Sequence, residues 1–102
     1  MKYGLHGHLK AQEGKGEELA NILLEAAQLL SEADGCHLYI VSRDIADENT
    51  IWITEVWDSK EAHHNSLKLD AVKTLISKAV PILAEPPKGG QEMQVLGGLG
   101  IS

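Results

Sequence analysis

Apolar and polar positions alternate in some stretches of the chain and recur every three to four residues in others, which separates strands from helices. Residues 3–9 alternate and predict a strand whose second face carries His6 and His8. Over residues 13–32 the apolar positions recur at three and four, which predicts an amphipathic helix. Gly35 follows as its stop signal.

The middle of the chain predicts a β-hairpin. Residues 36–43 and 50–57 are rich in β-branched and aromatic side chains, and residues 44–49 between them are polar. We therefore expect the two segments to pair as antiparallel strands.

Two helical pieces are predicted next. Asp58 and Glu61 have the spacing of a capping box and predict a short helix near residues 59–68. Asp70 is the expected N-cap of a second helix. The buried stripe predicted for that helix comprises Ala71, Val72, Leu75, Ile76, Ala79 and Val80.

The last part of the chain completes the element order. Residues 85–90 contain prolines and glycines and predict a loop, and residues 91–99 predict a final strand. The order β-α-β-β-α-β, with the second helical region in two pieces, predicts an α+β fold of the ferredoxin-like split βαβ type. We expect one domain over residues 1–102, with a four-stranded antiparallel sheet covered by helices on one face.

Both faces of this predicted sheet are apolar. Leu38 and Tyr39 point to opposite faces, as do Trp52 and Trp57. Because helices cover one face only, the other face predicts an interface, and its simplest partner is a second copy of the chain. The expected state is a homodimer.

Composition narrows the partners and the compartment. A net charge of −6 and a pI near 5.2 argue against nucleic acid, which needs clustered basic residues. No apolar run approaches the roughly 20 residues of a membrane helix, and Met1 opens onto a strand-like run with no leader. Cys36 is the only cysteine, which excludes an internal disulfide and favours the cytoplasm. It is interpreted as a small buried apolar residue.

The histidines are the main candidates for acid-base chemistry. His6 and His8 share one strand face, but a metal needs a further ligand such as Glu55 or His63. The alternative for this pair is a polar lining or a solvated edge.

His63 and His64 are neighbours on the predicted short helix and point about 100° apart, so only one can face the sheet. His63 has Leu67 one turn later, whereas His64 lies between Lys60 and Lys68. We expect His63 to face inward, as either a catalytic residue or a structural core histidine.

Two residues of the third predicted strand also carry candidate chemistry. Glu55 shares a face with Ile53 and Trp57, so it should be either functional or a paired structural acid. Trp57 is a candidate flat wall for an aromatic ligand, with a core tryptophan as the alternative.

The run IWITEVWDSKEAH at residues 51–63 resembles the antibiotic biosynthesis monooxygenase domain family, in which a strand ending in Glu-x-Trp leads into a helix bearing a histidine. The first strand followed by GKGEEL at residues 14–19, and Ser66 with Leu67 after the histidine, extend this resemblance over nearly the whole chain.

The resemblance implies a dimeric α/β barrel with a pocket between sheet and helices in each subunit. It also implies oxygenation of quinols, anthrones and related polyphenols by dioxygen, with no flavin, haem or metal as cofactor. Trp57 matches the family's pocket tryptophan, His63 its helix polar residue and Glu55 its strand acid. Haem-degrading relatives have an asparagine on the first strand, and none stands there in this chain.

An electron-rich phenol, once deprotonated, can pass an electron to dioxygen itself, so the protein need only position the ring, remove a proton and stabilise the anion. In this hypothesis Trp57 packs the ring, His63 takes the proton, and His6 or His8 holds the substrate oxygen.

Asn65 and Tyr39 are further candidates for contacts with a small aromatic substrate. The competing hypothesis is a non-catalytic dimeric α/β-barrel module that binds a small aromatic ligand, and a haem-degrading relative is a more distant alternative. Function belongs to the site, so fold alone does not separate these.

Overall fold

Strands and helices follow one another in the predicted order in the computed structural model, which describes residues 1–101. The elements are β1 (Lys2–Lys10), α1 (Gly16–Leu30), β2 (Cys36–Arg43), β3 (Thr50–Trp57), α2 (Lys60–Ser66), α3 (Asp70–Ala79) and β4 (Gln91–Val95). One turn of 3-10 helix, Val80–Ile82, follows α3.

The four strands form one antiparallel sheet in the order β2-β3-β1-β4. The predicted hairpin is confirmed, because β2 and β3 pair over their whole lengths with one irregularity between Cys36 and Leu38. In the central pair, Leu5 lies opposite Glu55, and His8 lies opposite Trp52. This arrangement confirms the ferredoxin-like α+β fold.

Helix α1 starts three residues later than predicted, at Gly16. A Cβ atom at Gly16 would lie 2.2 Å from the backbone oxygen of Glu48, so the helix begins in close contact with the β2–β3 connection. Glu17 and Glu18 stand in the first turn, where the helix dipole favours negative charge. Its buried positions are Leu19, Leu23, Ala26 and Leu30.

The two predicted N-caps are each wrong by one residue. Helix α2 is capped by Ser59, whose Oγ accepts a hydrogen bond from the backbone N–H of Ala62 at 3.1 Å. The carboxylate of Asp58 is instead paired with His37 on β2. Asp70 is the first residue of α3, and Leu69 before it has the extended backbone of a cap.

The buried stripe of α3 is narrower than predicted. Val72, Leu75 and Ala79 are buried, whereas Ala71, Ile76 and Val80 are exposed. The helix packs against α1 along one side, so its more lateral apolar residues stay uncovered within the chain.

Strand β4 is shorter than the predicted 91–99. Val95 pairs with Lys2, so β1 offers almost no residues beyond that point for a longer strand. Gly97 and Gly98 then adopt positive φ angles of 144°, and the chain leaves the sheet.

The apolar core lies between the helices and one face of the sheet. Leu19, Ile51 and Trp57 are fully buried there. On the other face, Ile40 is 47% and Met93 44% exposed. Among residues 1–101, no helix is long and apolar enough to cross a membrane.

Candidate active site

A cavity of about 260 Å³ lies between the helices and the sheet. Four polar residues line it: Tyr39, Glu55, His63 and Ser66. The rest of the lining is apolar and comes mainly from α1, α3 and the turn after α3. Polar groups set in an otherwise apolar cavity are typical of a small-molecule site.

Glu55 is a buried acid on the helix-facing side of β3. Trp57 is two residues further along the same strand and therefore shares this face. Its indole Nε1 donates a hydrogen bond to Oε1 of Glu55 at 3.0 Å. Burial raises the pKa of Glu55, and the hydrogen bond from Trp57 partly opposes that rise.

His63 faces this acid from helix α2. Its Nε2 lies 3.6 Å from Oε1 of Glu55, and its ring meets the Trp57 indole edge-on at 5.6 Å between centroids. Its Nδ1 is buried and has no hydrogen-bond partner among the groups of residues 1–101. Burial lowers the pKa of His63, and the neighbouring His64 lowers it further.

The lowered pKa of His63 favours the role of a proton acceptor. A lowered pKa keeps the imidazole of His63 neutral at physiological pH, which is the form that accepts a proton. The imidazolium formed by that step would stand beside the Glu55 carboxyl group, whose ionised form stabilises it. The pair therefore has the chemistry of a general base with an acidic partner.

Helix α2 is fixed by contacts that the sequence did not reveal. The Oγ of Ser66 donates to the backbone oxygen of His63 at 2.6 Å.

At the outer edge, Glu92 of β4 accepts a hydrogen bond from the Tyr3 hydroxyl and pairs with Lys60 of α2, each at 2.9 Å. Burial and Glu92 together raise the pKa of Tyr3 to about 12. The sequence signal for this contact of Tyr3 is its position on the same strand face as Leu5 and Leu9.

Tyr39 lies beside Glu55, because the two residues pair across β2 and β3. It lines the cavity, and burial raises the pKa of its hydroxyl group. Within residues 1–101 the hydroxyl group has no hydrogen-bond partner, so it is available to a bound molecule.

Trp57 belongs to the site but not to the cavity wall. It is fully buried in the core cluster with Leu30 and Val72 and does not line the cavity. It therefore provides no wall of this cavity for a substrate ring. Its indole N–H orients Glu55 instead.

His6 and His8 lie on the opposite face of the sheet from His63. The His6 ring stacks on Trp52 at 5.1 Å, its Nδ1 lies 2.9 Å from the Thr54 hydroxyl oxygen, and His8 lies 4.7 Å from Trp52. Successive strand residues alternate faces, so these even-numbered positions cannot reach the helix-side cavity of their own chain.

The sheet also separates His6 and His8 from Glu55 and His63. These side chains therefore cannot form the metal site considered from the sequence, in which Glu55 or His63 would be the further ligand. In the part of the chain that the structure describes, no group of three His, Cys, Asp or Glu side chains is placed to hold a metal ion.

Asn65 also lies outside the cavity. It is exposed and borders a surface groove with Ala33 and Asp34. Two residues along a helix turn the side chain by about 200° from His63, which explains this placement. His64 is exposed, as predicted, and His63 is the inward residue.

Comparison with known proteins identifies a family that matches this chain. Residues 3–78 match the family model "Antibiotic biosynthesis monooxygenase". The structure of a candidate antibiotic biosynthesis monooxygenase from Chloroflexus aurantiacus J-10-fl is 40% identical, with a TM-score of 0.88 over 100% of both chains. A second candidate, from Deinococcus radiodurans, is 29% identical, with a TM-score of 0.78 over 93% of this chain and 92% of that one.

A more distant structure shares the fold alone. A mutant of SnoaB, a cofactor-independent oxygenase from Streptomyces nogalater, is 11% identical, with a TM-score of 0.78 over 96% of each chain. No curated protein matches the chain.

Proposed function

The chain belongs to the antibiotic biosynthesis monooxygenase family, and from this premise we propose that it is a cofactor-independent monooxygenase. Its substrate is a quinol, an anthrone or a related polyphenol, and its oxidant is dioxygen. The observation that carries the proposal is His63, which lines the apolar cavity with its Nε2 3.6 Å from Oε1 of the acid Glu55. A neutral imidazole in this place can accept a proton from a substrate hydroxyl group.

The reaction begins with proton transfer from the substrate to the imidazole of His63. The phenolate passes one electron to dioxygen, and the resulting radical and superoxide combine to a peroxide on the substrate carbon. Loss of water then leaves a carbonyl group. For an anthrone, one oxygen atom stays in the product, the other leaves as water, and the substrate supplies all four electrons.

Each residue of the site has a physical role in this scheme. Glu55 stabilises the imidazolium of His63, and Trp57 holds the Glu55 carboxylate in place through its indole N–H. The Tyr39 hydroxyl is placed to donate a hydrogen bond to an oxygen of the substrate or peroxide. The apolar walls exclude water from the reacting anion.

The functional unit in this proposal is a homodimer in the cytoplasm. The uncovered sheet face, with Ile40, Trp52 and Met93, supports pairing of two sheets. His6 and His8 would then lie at the interface and not at the substrate. The lone Cys36 is consistent with a reducing compartment.

Oxygen uptake tests the proposal directly. Purified protein is supplied with isotopically labelled dioxygen and a panel of one-, two- and three-ring phenols, quinols and anthrones. We expect one dioxygen consumed per product, one labelled oxygen atom in the product, and loss of this activity in His63→Ala. Binding of panel members without oxygen uptake would overturn the proposal in favour of a ligand-binding module.

A further inference from the structure

We propose that the cavity is matched in size and polarity to a phenol with two fused rings whose hydroxyl groups are confined to one ring, and that a third ring adds no affinity. Turnover of such a substrate rests on the proposed function, whereas the binding selectivity follows from the size and the polarity of the cavity alone.

Size is the first argument. A protein cavity of about 150 Å³ holds one benzene ring, so scaling by the number of ring carbons gives about 250 Å³ for two fused rings and about 350 Å³ for three. The cavity between helices and sheet measures about 260 Å³. Two rings fill it, one ring leaves it half empty, and three rings exceed it.

Polarity is the second argument. The polar lining residues are close together, because Tyr39 pairs with Glu55, and Glu55 lies 3.6 Å from His63. Ser66 lies one turn after His63 on α2. The remaining lining is apolar, including Leu23, Ala26, Leu75 and Ala79. A hydroxyl group on the far ring would lose its water and gain no partner.

The mouth of the cavity decides what happens to a third ring. Ile76 and Val80 line the cavity while remaining 45% and 54% exposed, so they mark its open side. A third ring would extend past them into solvent and would bury little additional surface. We therefore expect the affinity to rise from one ring to two and then to stop rising.

A series of matched ligands tests both arguments without any chemistry. Anaerobic titration calorimetry is carried out with phenol, 2-naphthol, 2-hydroxyanthracene and 2,6-dihydroxynaphthalene. We expect 2-naphthol to bind at least about tenfold tighter than phenol, and 2-hydroxyanthracene to bind no tighter than 2-naphthol. The dihydroxy compound should bind at least about tenfold more weakly than 2-naphthol. A further gain at the third ring, or equal binding of the dihydroxy compound, would overturn the proposal.

A variant connects the selectivity to this cavity. Ala79→Val adds two methyl groups to the lining and should weaken 2-naphthol binding while leaving phenol binding unchanged. Ala71→Val, on the exposed side of the same helix, is the matched control and should change neither. Equal losses for both ligands in Ala79→Val would contradict the assignment. If Ala79→Val does not fold, the ligand series with the wild type decides the question.

The monooxygenase function and the ligand selectivity are refuted by different results. Selective binding of 2-naphthol with no oxygen uptake refutes the monooxygenase function and leaves the selectivity standing. Oxygen uptake by a protein that binds 2-hydroxyanthracene more tightly than 2-naphthol refutes the selectivity and leaves the function standing.

Discussion

Nε2 of His63 lies 3.6 Å from Oε1 of Glu55, and the two side chains are only 13% and 10% exposed. This distance is longer than a normal hydrogen bond, so the resting pair is in contact but not bonded. Protonation of His63 would allow a charge-assisted hydrogen bond to Glu55. Such bonds are about 2.7 to 2.9 Å long, so the two atoms would need to approach each other by less than about 1 Å. The geometry is therefore suited to a base that is charged only during the reaction.

The first prediction separates the two adjacent histidines. His63→Ala should lower turnover of an active quinol by at least about a hundredfold, because a general base contributes that much or more. His64→Ala should change turnover little, because the side chain is exposed. Steady-state oxygen uptake measures both, with circular dichroism to show that each variant is folded. If His64→Ala were the inactive variant, the proposed base would be wrong.

The second prediction concerns acid pH. Because the pKa of His63 is lowered from 6.5, more than half of the imidazole is neutral at pH 6.5, and kcat/KM should fall at a lower pH than it would for a free imidazole. The unfolded chain then takes up this proton at higher pH than the folded chain does. The stability contributed by neutral His63 is therefore full above pH 6.5 and decreases as the pH falls toward its folded pKa.

Urea unfolding measures this linkage. The difference in unfolding free energy between the wild type and His63→Ala should grow from about pH 5 to about pH 7. Glu55 acts in the opposite direction, since its raised pKa makes the folded chain bind its proton more strongly and costs stability as the pH rises. Repeating the comparison with Glu55→Gln as the parent removes that contribution. A difference that does not vary with pH would argue against a lowered pKa at His63.

The third prediction tests Glu55 as a partner of the base. Glu55→Gln preserves the shape and can still accept the Trp57 hydrogen bond, but it cannot supply the negative charge that stabilises the imidazolium. We expect kcat to fall by about tenfold to a thousandfold with KM nearly unchanged. A rise in KM with unchanged kcat would instead identify Glu55 as a substrate-binding group only.

Much of the fold could be predicted from local patterns. Strands β2 and β3 have the predicted bounds because each is rich in β-branched and aromatic residues and the polar residues 44–49 separate them. The end of β4 could not be predicted, since it depends on where its partner β1 begins. The start of α1 likewise depends on the contact between Gly16 and Glu48.

The candidate site was only partly accessible from the sequence. The inward position of His63 follows from neighbours at helical spacing. His6 and His8 are at even-numbered positions of β1, on the opposite strand face from its apolar positions. The alternation in the sequence therefore already argues against a contact between these histidines and the substrate. The cavity depends on the distance between helices and sheet, which no local pattern contains.

The fourth prediction compares the two tryptophans. Trp57→Phe removes the donor to buried Glu55 and should lower the unfolding free energy by about 1 to 3 kcal/mol, in addition to the loss of packing. Trp52→Phe removes the hydrogen bond to Asp44, whose carboxylate can turn to water, and should cost less. Urea denaturation at neutral pH measures both. Equal losses would mean that the Glu55 hydrogen bond adds nothing specific.

The last prediction concerns the uncovered face of the sheet. Light scattering at low micromolar concentration should give about twice the 11.1 kDa chain mass. Ile40 is 47% exposed on this face, and Leu24 is 50% exposed on the helix side. A lysine at either position is tolerated in an isolated chain, because both side chains already reach solvent. Between two packed sheets, however, a charge at position 40 would be desolvated without a partner. Ile40→Lys should therefore give monomers and Leu24→Lys should stay dimeric, whereas the reverse result would place the interface on the helices.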